Sequence, residues 1–480
     1  MLVYDHQYIR GQWVDPGSKA FIEVFDSTNG TVFGRVPKGD VRDIDAAVES
    51  ARAAFPGWSS TSRETRAAVL REIAGRLATR VDELTDVITR ETGMPVSQSR
   101  PIQAEYPAHA FSVAADVLLD YEVDTLTPDG SLITREAAGV VGCITPWNYP
   151  LGQIAVKVAY ALAAGCTVVL KPSEVAPLDA FLLAETIDES SLPHGAFNLV
   201  SGMGAEAGEA LAAHPDVDVV SFTGSTRAGK RVAEVAANTV KRVALELGGK
   251  SANIILDDLA PETFDHAIQA GVRDAFKNSG QACDALTRML VPAQLLGRAE
   301  EVARSTVRDL VVGDPFDPAT DLGPLASEAQ QNRVAEYVAI GVAEGAKVVA
   351  GGASDLRREG YYVEPTVFSN VTTSMRIAQE EIFGPVLCML PYEDEEEAVQ
   401  IANDSIYGLS GAVWSGNVDR AIAVARRIRT GGLSINGVAF TATAPFGGYK
   451  QSGIGRELGE PGLEEFLEVK TIQLPTEGER

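Results

Sequence analysis

Apolar positions three and four residues apart recur over residues 40–54 and 63–93, the period that turns one face of a helix toward a core. Ahead of them, residues 8–14 and 21–25 form short apolar stretches of the kind that makes a hairpin. From Leu132 onward, short apolar runs over 140–144, 167–170, 197–200, 217–222 and 251–256 are set apart by Gly and Pro. Between most of them lie Ala-rich helical stretches, as over 151–164 and 177–189. Strand and helix in succession predict a parallel sheet covered on both faces. The alternation restarts after Asp257, with helices predicted over 261–278, 295–310 and 328–344 and strands over 288–292 and 347–350. The acids Glu393 to Glu397 precede a helix predicted over 398–403, where negative charge suits the positive end of the helix dipole. Two apposed α/β units are expected, without an internal repeat or a low-complexity linker.

Composition narrows the partners. The 480 residues are 45% apolar and carry 41 Lys+Arg against 66 Asp+Glu, a net charge of −25. That length holds more than one core. So negative a chain repels nucleic-acid phosphates and anionic lipid, so the expected partner is a small molecule, and an anionic cofactor has to be held by backbone N–H groups and a few placed cations. Uncharged stretches near residues 137–156 and 430–449 are broken by Pro and Gly, so no membrane span is predicted. The N-terminus shows no secretory pattern. Cys143, Cys166, Cys283 and Cys388 lack metal-ligand spacing and there are five His, so no metal site is predicted and reduced thiols in a cytoplasm fit best.

Several short segments carry chemistry. Phe222-Thr223-Gly224-Ser225 runs from a strand into a Gly-x4-Gly helix start ending at Gly229, which is either a tight turn or an anion site built from free N–H groups. Lys171-Pro172-Ser173-Glu174 ends a strand, where open α/β sheets place ligands. Glu174 there accepts from a ribose hydroxyl and repels a 2′-phosphate, favouring NAD over NADP. Cys283, in Gly280-Gln281-Ala282-Cys283, is a candidate nucleophile or a small buried hydrophobe. Glu246, between Leu245 and Leu247, is a candidate general base or a solvated strand end. Asn148, in Pro146-Trp147-Asn148-Tyr149-Pro150, is an oxyanion donor or part of a rigid turn.

Those five segments, with Glu381-Ile382-Phe383-Gly384-Pro385 and Pro445-Phe446-Gly447-Gly448, stand in the order found in the aldehyde dehydrogenase superfamily, which the chain resembles over essentially its whole length. The resemblance implies a Rossmann-like cofactor domain (residues 1–119 and 139–247), an α/β catalytic domain (248–450) and a small β oligomerisation arm (120–138 and 451–480) that pairs subunits into a homodimer or homotetramer. It implies that Cys283 attacks the aldehyde, that Asn148 holds the oxyanion, that hydride passes to NAD or NADP, and that Glu246 activates the water that hydrolyses the thioester. Lys171 falls in the catalytic set and, with Ser173 and Glu174, among the ribose contacts. The remaining implied cofactor contacts are Ile144, Thr145, Pro146, Trp147, Gly204, Gly208, Phe222, Thr223, Gly224, Ser225, Leu247, Gly248, Glu381 and Phe383. Tyr149, Gln153, Val156, Ala282, Asp284, Phe440 and Phe446 correspond to the substrate tunnel. Two departures from common relatives stand out. Asp284 puts a carboxylate directly after the nucleophile and, if it faces the tunnel, favours neutral polar or cationic aldehydes. Gln153 and Val156 replace bulkier groups and imply a roomier tunnel. The alternatives are an acylating enzyme that uses coenzyme A, against which Glu246 argues, and a non-catalytic binding protein, against which Cys283, Glu246 and Asn148 together argue.

Overall fold

The computed structural model describes residues 1–352 and 359–475. Its centre is an eight-stranded sheet in the order Gly453–Ile454, Arg242–Glu246, Val219–Thr223, Val140–Ile144, Thr167–Lys171, Phe197–Leu199, Gln7–Ile9 and Gln12–Val14. The five strands from Arg242–Glu246 to Phe197–Leu199 are parallel. Four of them, Val140–Ile144, Thr167–Lys171, Phe197–Leu199 and Val219–Thr223, are buried along their whole length, which is why they read as apolar runs rather than alternating ones. Chain order reverses between Val140–Ile144 and Val219–Thr223, so a crevice opens at the carboxyl ends of those two strands.

A second, seven-stranded sheet runs Lys347–Ala350, Thr366–Ser369, Val386–Tyr392, Arg288–Pro292, Ala252–Ile255, Gly411–Trp414 and Ser434–Ile435, parallel except for its first strand. Helices Pro261–Ala275 and Leu296–Asp309 pack on one face through Phe264, Ile268 and Ala303, and Glu395–Asn403 and Val418–Ala425 pack on the other through Ala398, Ala421 and Val424. Away from both sheets, Leu467–Gln473 pairs antiparallel with Ser131–Ala137, and that strand with Asp124–Leu126. Val469 and Leu126 are exposed on this small sheet.

Several sequence expectations shift. The helix expected over 40–54 runs Val41–Ser59, capped by Asp40, and continues past Pro56. The single stretch 63–93 is two helices, Arg63–Ala78 and Val81–Thr92. The start holds two hairpins rather than one: Gln7–Ile9 with Gln12–Val14, and Phe21–Asp26 with Thr31–Pro37. Of residues 451–480, Leu467–Gln473 lies in the small sheet while Gly453–Ile454 edges the large one, and 476–480 lie outside the described residues. The acids Glu395, Glu396 and Glu397 form the first turn of Glu395–Asn403, and Asp394 caps it.

Candidate active site

The nucleophile candidate sits on a loop shaped by left-handed backbone. After helix Pro261–Ala275, Asn278, Ser279 and Gly280 all take positive φ, at 48°, 55° and 75°. A side chain on Gly280 would collide with the carbonyl of Gly384, so only glycine lets the loop close against Glu381-Ile382-Phe383-Gly384. The loop is then pinned by buried amides. Asn148 Nδ2 donates to the Gln281 carbonyl at 2.9 Å, Asn278 Nδ2 donates to the Asn148 carbonyl at 3.0 Å, and Gln281 Oε1 accepts from the Ala326 N–H at 2.9 Å. Asn148 and the Cys283 loop, 135 residues apart in sequence, therefore lie side by side, and one N–H of the Asn148 amide has no partner in this network.

Glu246 ends the strand Arg242–Glu246, and both of its carboxyl oxygens are buried without a hydrogen bond. A Cβ on Gly447 would come within 2.7 Å of its Oε1, so the Phe446-Gly447-Gly448 segment closes directly over the carboxyl. Burial pushes the Glu246 carboxyl well above the ordinary carboxylate range. The neighbouring Glu457 adds to this, while Lys157 and Arg456 oppose it. Lys157 and Glu457 form a buried ion pair, with Lys157 Nζ also donating to Ser221 Oγ at 3.2 Å. Neither residue was singled out in the sequence. Lys157 did give a signal, as the lone charge in the otherwise apolar helix Pro150–Ala164.

The Cys283 thiol is also held well above its usual range, first by burial and then by the negative charges of Asp284, Glu246 and Glu381. The thiol deprotonates as pH rises, so the reactive fraction grows with pH. Inactivation of the free enzyme by iodoacetamide is accordingly expected to accelerate about tenfold per unit through the neutral range, as it does for any thiol below its pKa, and to be still climbing at about pH 9. A plateau reached below that would show that the thiol is not so raised.

The residues expected to hold a dinucleotide gather at the carboxyl ends of the large sheet. Lys171 Nζ bonds Glu174 Oε2 at 3.0 Å, and Glu174 Oε1 accepts from the Gly204 N–H at 3.4 Å. A Cβ on Gly208 would lie 3.6 Å from the Lys171 side chain. Lys171 thus stands with the ribose group of residues, and its hydrogen bonds include none to Cys283, Asn148 or Glu246. Ser173 is buried beside it, its hydroxyl accepting from the Val175 N–H. Ser225 caps helix Thr226–Ala236 by accepting from the Ala228 N–H at 3.2 Å. A side chain on Gly229 would collide with Leu247, so this helix start lies close over the strand that carries Glu246. Phe222 packs under Gly224, and Thr223 Oγ1 donates to Gln153 Oε1 at 3.3 Å. At the next strand, Ile144 is buried, the Thr145 N–H bonds the Lys171 carbonyl, and the Thr145 hydroxyl is buried without a partner.

Nearer the thiol, Glu381 Oε1 accepts from the Gly249 N–H at 2.9 Å, and a side chain on Gly248 would strike the same carboxyl. Burial raises Glu381 to about 7. Trp147, beside Pro146, meets Phe383 edge to face at 5.4 Å, and Phe383 holds a φ of +66°, a conformation costly for a bulky residue.

A cavity of about 790 Å³ opens next to the Cys283 loop and is lined by Asp284, Lys277, Phe440, Phe446 and Gly447, among others. Asp284 faces this space. Tyr149 lies within electrostatic reach of Cys283, Asp284 and Lys277, and Ala282 is buried under the loop. Val156 packs into the apolar core, and Gln153 is occupied by Thr223. Another cavity, of about 820 Å³ between Arg63, Arg135 and Leu467, contains none of the motif residues. Among the described residues, no group of His, Cys, Asp and Glu has metal-binding geometry, and no helix is long and apolar enough to cross a membrane.

Similarity to known proteins agrees with this geometry. The chain is 52% identical over 472 residues, 98% of both sequences, to a 3-succinoylsemialdehyde-pyridine dehydrogenase of a Pseudomonas species. It is similar to the crystal structure of an aldehyde dehydrogenase C variant from Pseudomonas syringae complexed with NAD+ and octanal, at TM-score 0.96 and 48% identity, covering 98% of this chain and 96% of that one. An aldehyde dehydrogenase from Mycobacterium tuberculosis complexed with NAD+ matches at TM-score 0.95 and 43% identity, covering 99% of each chain. Since the model of the aldehyde dehydrogenase family also matches residues 13–472, the chain belongs to that family.

Proposed function

We propose that the protein oxidises an aldehyde to the carboxylic acid with reduction of NAD+. The observation that carries the reading is that Asn148 is bonded into the Cys283 loop and that Glu246 lies close enough to act electrostatically on the Cys283 thiol, beside a sheet whose loops group Lys171, Glu174 and Gly204. The residues present fit a dinucleotide. The Ser225 helix start offers N–H groups to a pyrophosphate, Glu174 offers an acceptor to a ribose hydroxyl and repels a 2′-phosphate, and the unpartnered Thr145 hydroxyl lies in the same crevice. When bound, NAD supplies the hydride acceptor.

The chain's own residues supply the rest. The Cys283 thiolate forms a C–S bond to the carbonyl carbon, and the oxyanion is held by the free N–H of the Asn148 amide and the Cys283 backbone N–H. After oxidation the acyl group remains on sulfur as a thioester. Glu246, buried beneath Gly447, takes a proton from the water that attacks it; the C–S bond breaks and the thiolate returns. Its raised proton affinity suits this role, since the carboxylate then takes the proton from water more readily than an ordinary carboxylate does. Tyr149, Ala282, Phe440 and Phe446 form the walls past which the substrate enters.

The domain scheme supported by the sheets has residues 1–119 and 139–247 binding cofactor, 248–450 holding the catalytic loop, and the sheet of Asp124–Leu126, Ser131–Ala137 and Leu467–Gln473 joining subunits through its exposed edges into a homodimer or homotetramer. Four unpaired cysteines support a reducing, cytoplasmic setting. The test is cofactor reduction across an aldehyde panel, with and without coenzyme A. Reduction that needs no coenzyme A and yields the acid is expected. Dependence on coenzyme A would make the enzyme acylating, and no reduction with any aldehyde would make it a binding protein.

A further inference from the structure

We propose that Asp284 selects substrates by charge, and that the cavity beside it receives the far end of an aldehyde carrying a cationic nitrogen. This rests on the reading above that Cys283 oxidises aldehydes, and it adds what lies at the other end of the molecule.

The cavity is lined by Gly447, which lies against Glu246, and by Asp284, Lys277, Trp414 and Gly437. Lys277 Nζ bonds Asp284 Oδ2 at 2.9 Å and Asp274 Oδ2 at 3.3 Å, so its single positive charge is shared between two carboxylates. Asp274 is further committed, its Oδ1 accepting from the Leu286 N–H at 3.0 Å. Asp284 Oδ1 has no hydrogen bond among the described residues, which leaves the cluster with a net negative charge and one open acceptor on a residue that lines the cavity. Aromatic rings line the same cavity. Phe440 and Phe446 meet edge to face with centroids 5.7 Å apart, and Trp414 is also in the lining. Also in the lining, Asn253 is fully buried with neither side-chain nitrogen nor oxygen bonded, in a space opened by Gly271.

Aromatic faces in the same cavity as a carboxylate with a free oxygen stabilise a cationic nitrogen by both quadrupole and charge. An anionic tail meets the reverse. The lysine it needs is already bridged, and it must approach two like charges in a partly desolvated space. A plain alkyl tail gains the aromatic wall but leaves Asp284 without a partner.

The experiment compares kcat/KM for three aldehydes of matched chain length, ended by trimethylammonium, methyl and carboxylate. The expected order is ammonium, then methyl, then carboxylate, with the first and last about a hundredfold apart. Asp284→Asn is expected to cut that ratio at least tenfold, and Asp284→Lys to invert it. The methyl-ended aldehyde is the control within each variant, because a fold defect lowers all three rates and leaves the ratio alone. Equal or better use of the carboxylate-ended aldehyde by the unaltered enzyme, or a ratio indifferent to both substitutions, would overturn the proposal while leaving aldehyde oxidation standing. Failure of all three aldehydes to reduce NAD+ would overturn both.

Discussion

Cys283→Ala is expected to lower aldehyde-dependent NADH formation by on the order of 10⁴-fold or more, because the covalent route is lost altogether and not merely slowed. No other thiol can replace it. Cys143, Cys166 and Cys388 are fully buried in the sheets or against them, and burial raises the first two to about 12 and about 11. Cofactor affinity should survive, since Lys171, Glu174 and Ser225 sit on other strands and helices and make no hydrogen bond to the Cys283 loop. Stopped-flow absorbance of NADH with parallel calorimetric titration of NAD+ separates the two. Near-normal NADH formation would remove Cys283 from the mechanism, and loss of NAD+ binding alongside activity would point instead to a collapsed loop.

Glu246→Gln is expected to separate the two halves of the reaction. Acylation does not need this carboxyl, so about one equivalent of NADH per site should form in a burst. Steady turnover should then fall about 10²- to 10⁴-fold as the thioester waits for unactivated water. Gln is nearly isosteric, and the position has no hydrogen bond to lose, since both Glu246 oxygens are unpartnered. The variant should also change the pH dependence of acylation, because Glu246 is one of the charges that raises the Cys283 thiol. Removing it lowers the thiol pKa and moves the burst rate toward lower pH. Unchanged steady turnover would exclude Glu246 as the base.

What could be read before folding follows a physical division. The strands at 140–144, 167–170 and 288–292 were legible because burial on both faces leaves an unbroken apolar run ended by Gly or Pro. The helix Tyr106–Asp120 was missed for a related reason: with Ala110, Phe111, Val113, Ala114, Ala115 and Leu118 all buried, it shows apolar residues on several sides and no clean amphipathic period. Strands Thr366–Ser369, Val386–Tyr392 and Gly411–Trp414 also went unread, although they are the neighbours that complete the second sheet. The motif residues were legible as chemistry, but their company was not. That Asn148 is clamped by Asn278 and Gln281 depends on three positive φ values in a row, and that Asp284 is tied to Lys277 and Asp274 depends on how the helix ending at Ala275 meets the loop. Val156 resembled a tunnel position, yet its side of helix Pro150–Ala164 faces the core.

The pairing of Lys157 with Glu457 also bears on how the enzyme comes into being at the ribosome. Lys157 is synthesised early and lies in a helix with nowhere wet to place its charge, whereas its partner arrives 300 residues later. Until Glu457 emerges, closing the large sheet would strand an ammonium in its interior, at an energetic cost of about 3–5 kcal/mol, a substantial fraction of a domain's stability. The edge strand Gly453–Ile454 and the pairing of Leu467–Gln473 with Ser131–Ala137 arrive with the same final segment. A nascent chain that already displays Asn148, Glu246 and Cys283 is therefore expected to settle its first-made half only once almost the whole polypeptide has been delivered. Competence is conferred late, and a prematurely terminated product lacking the last few dozen residues should be cleared as unfolded protein and not persist as a weak enzyme.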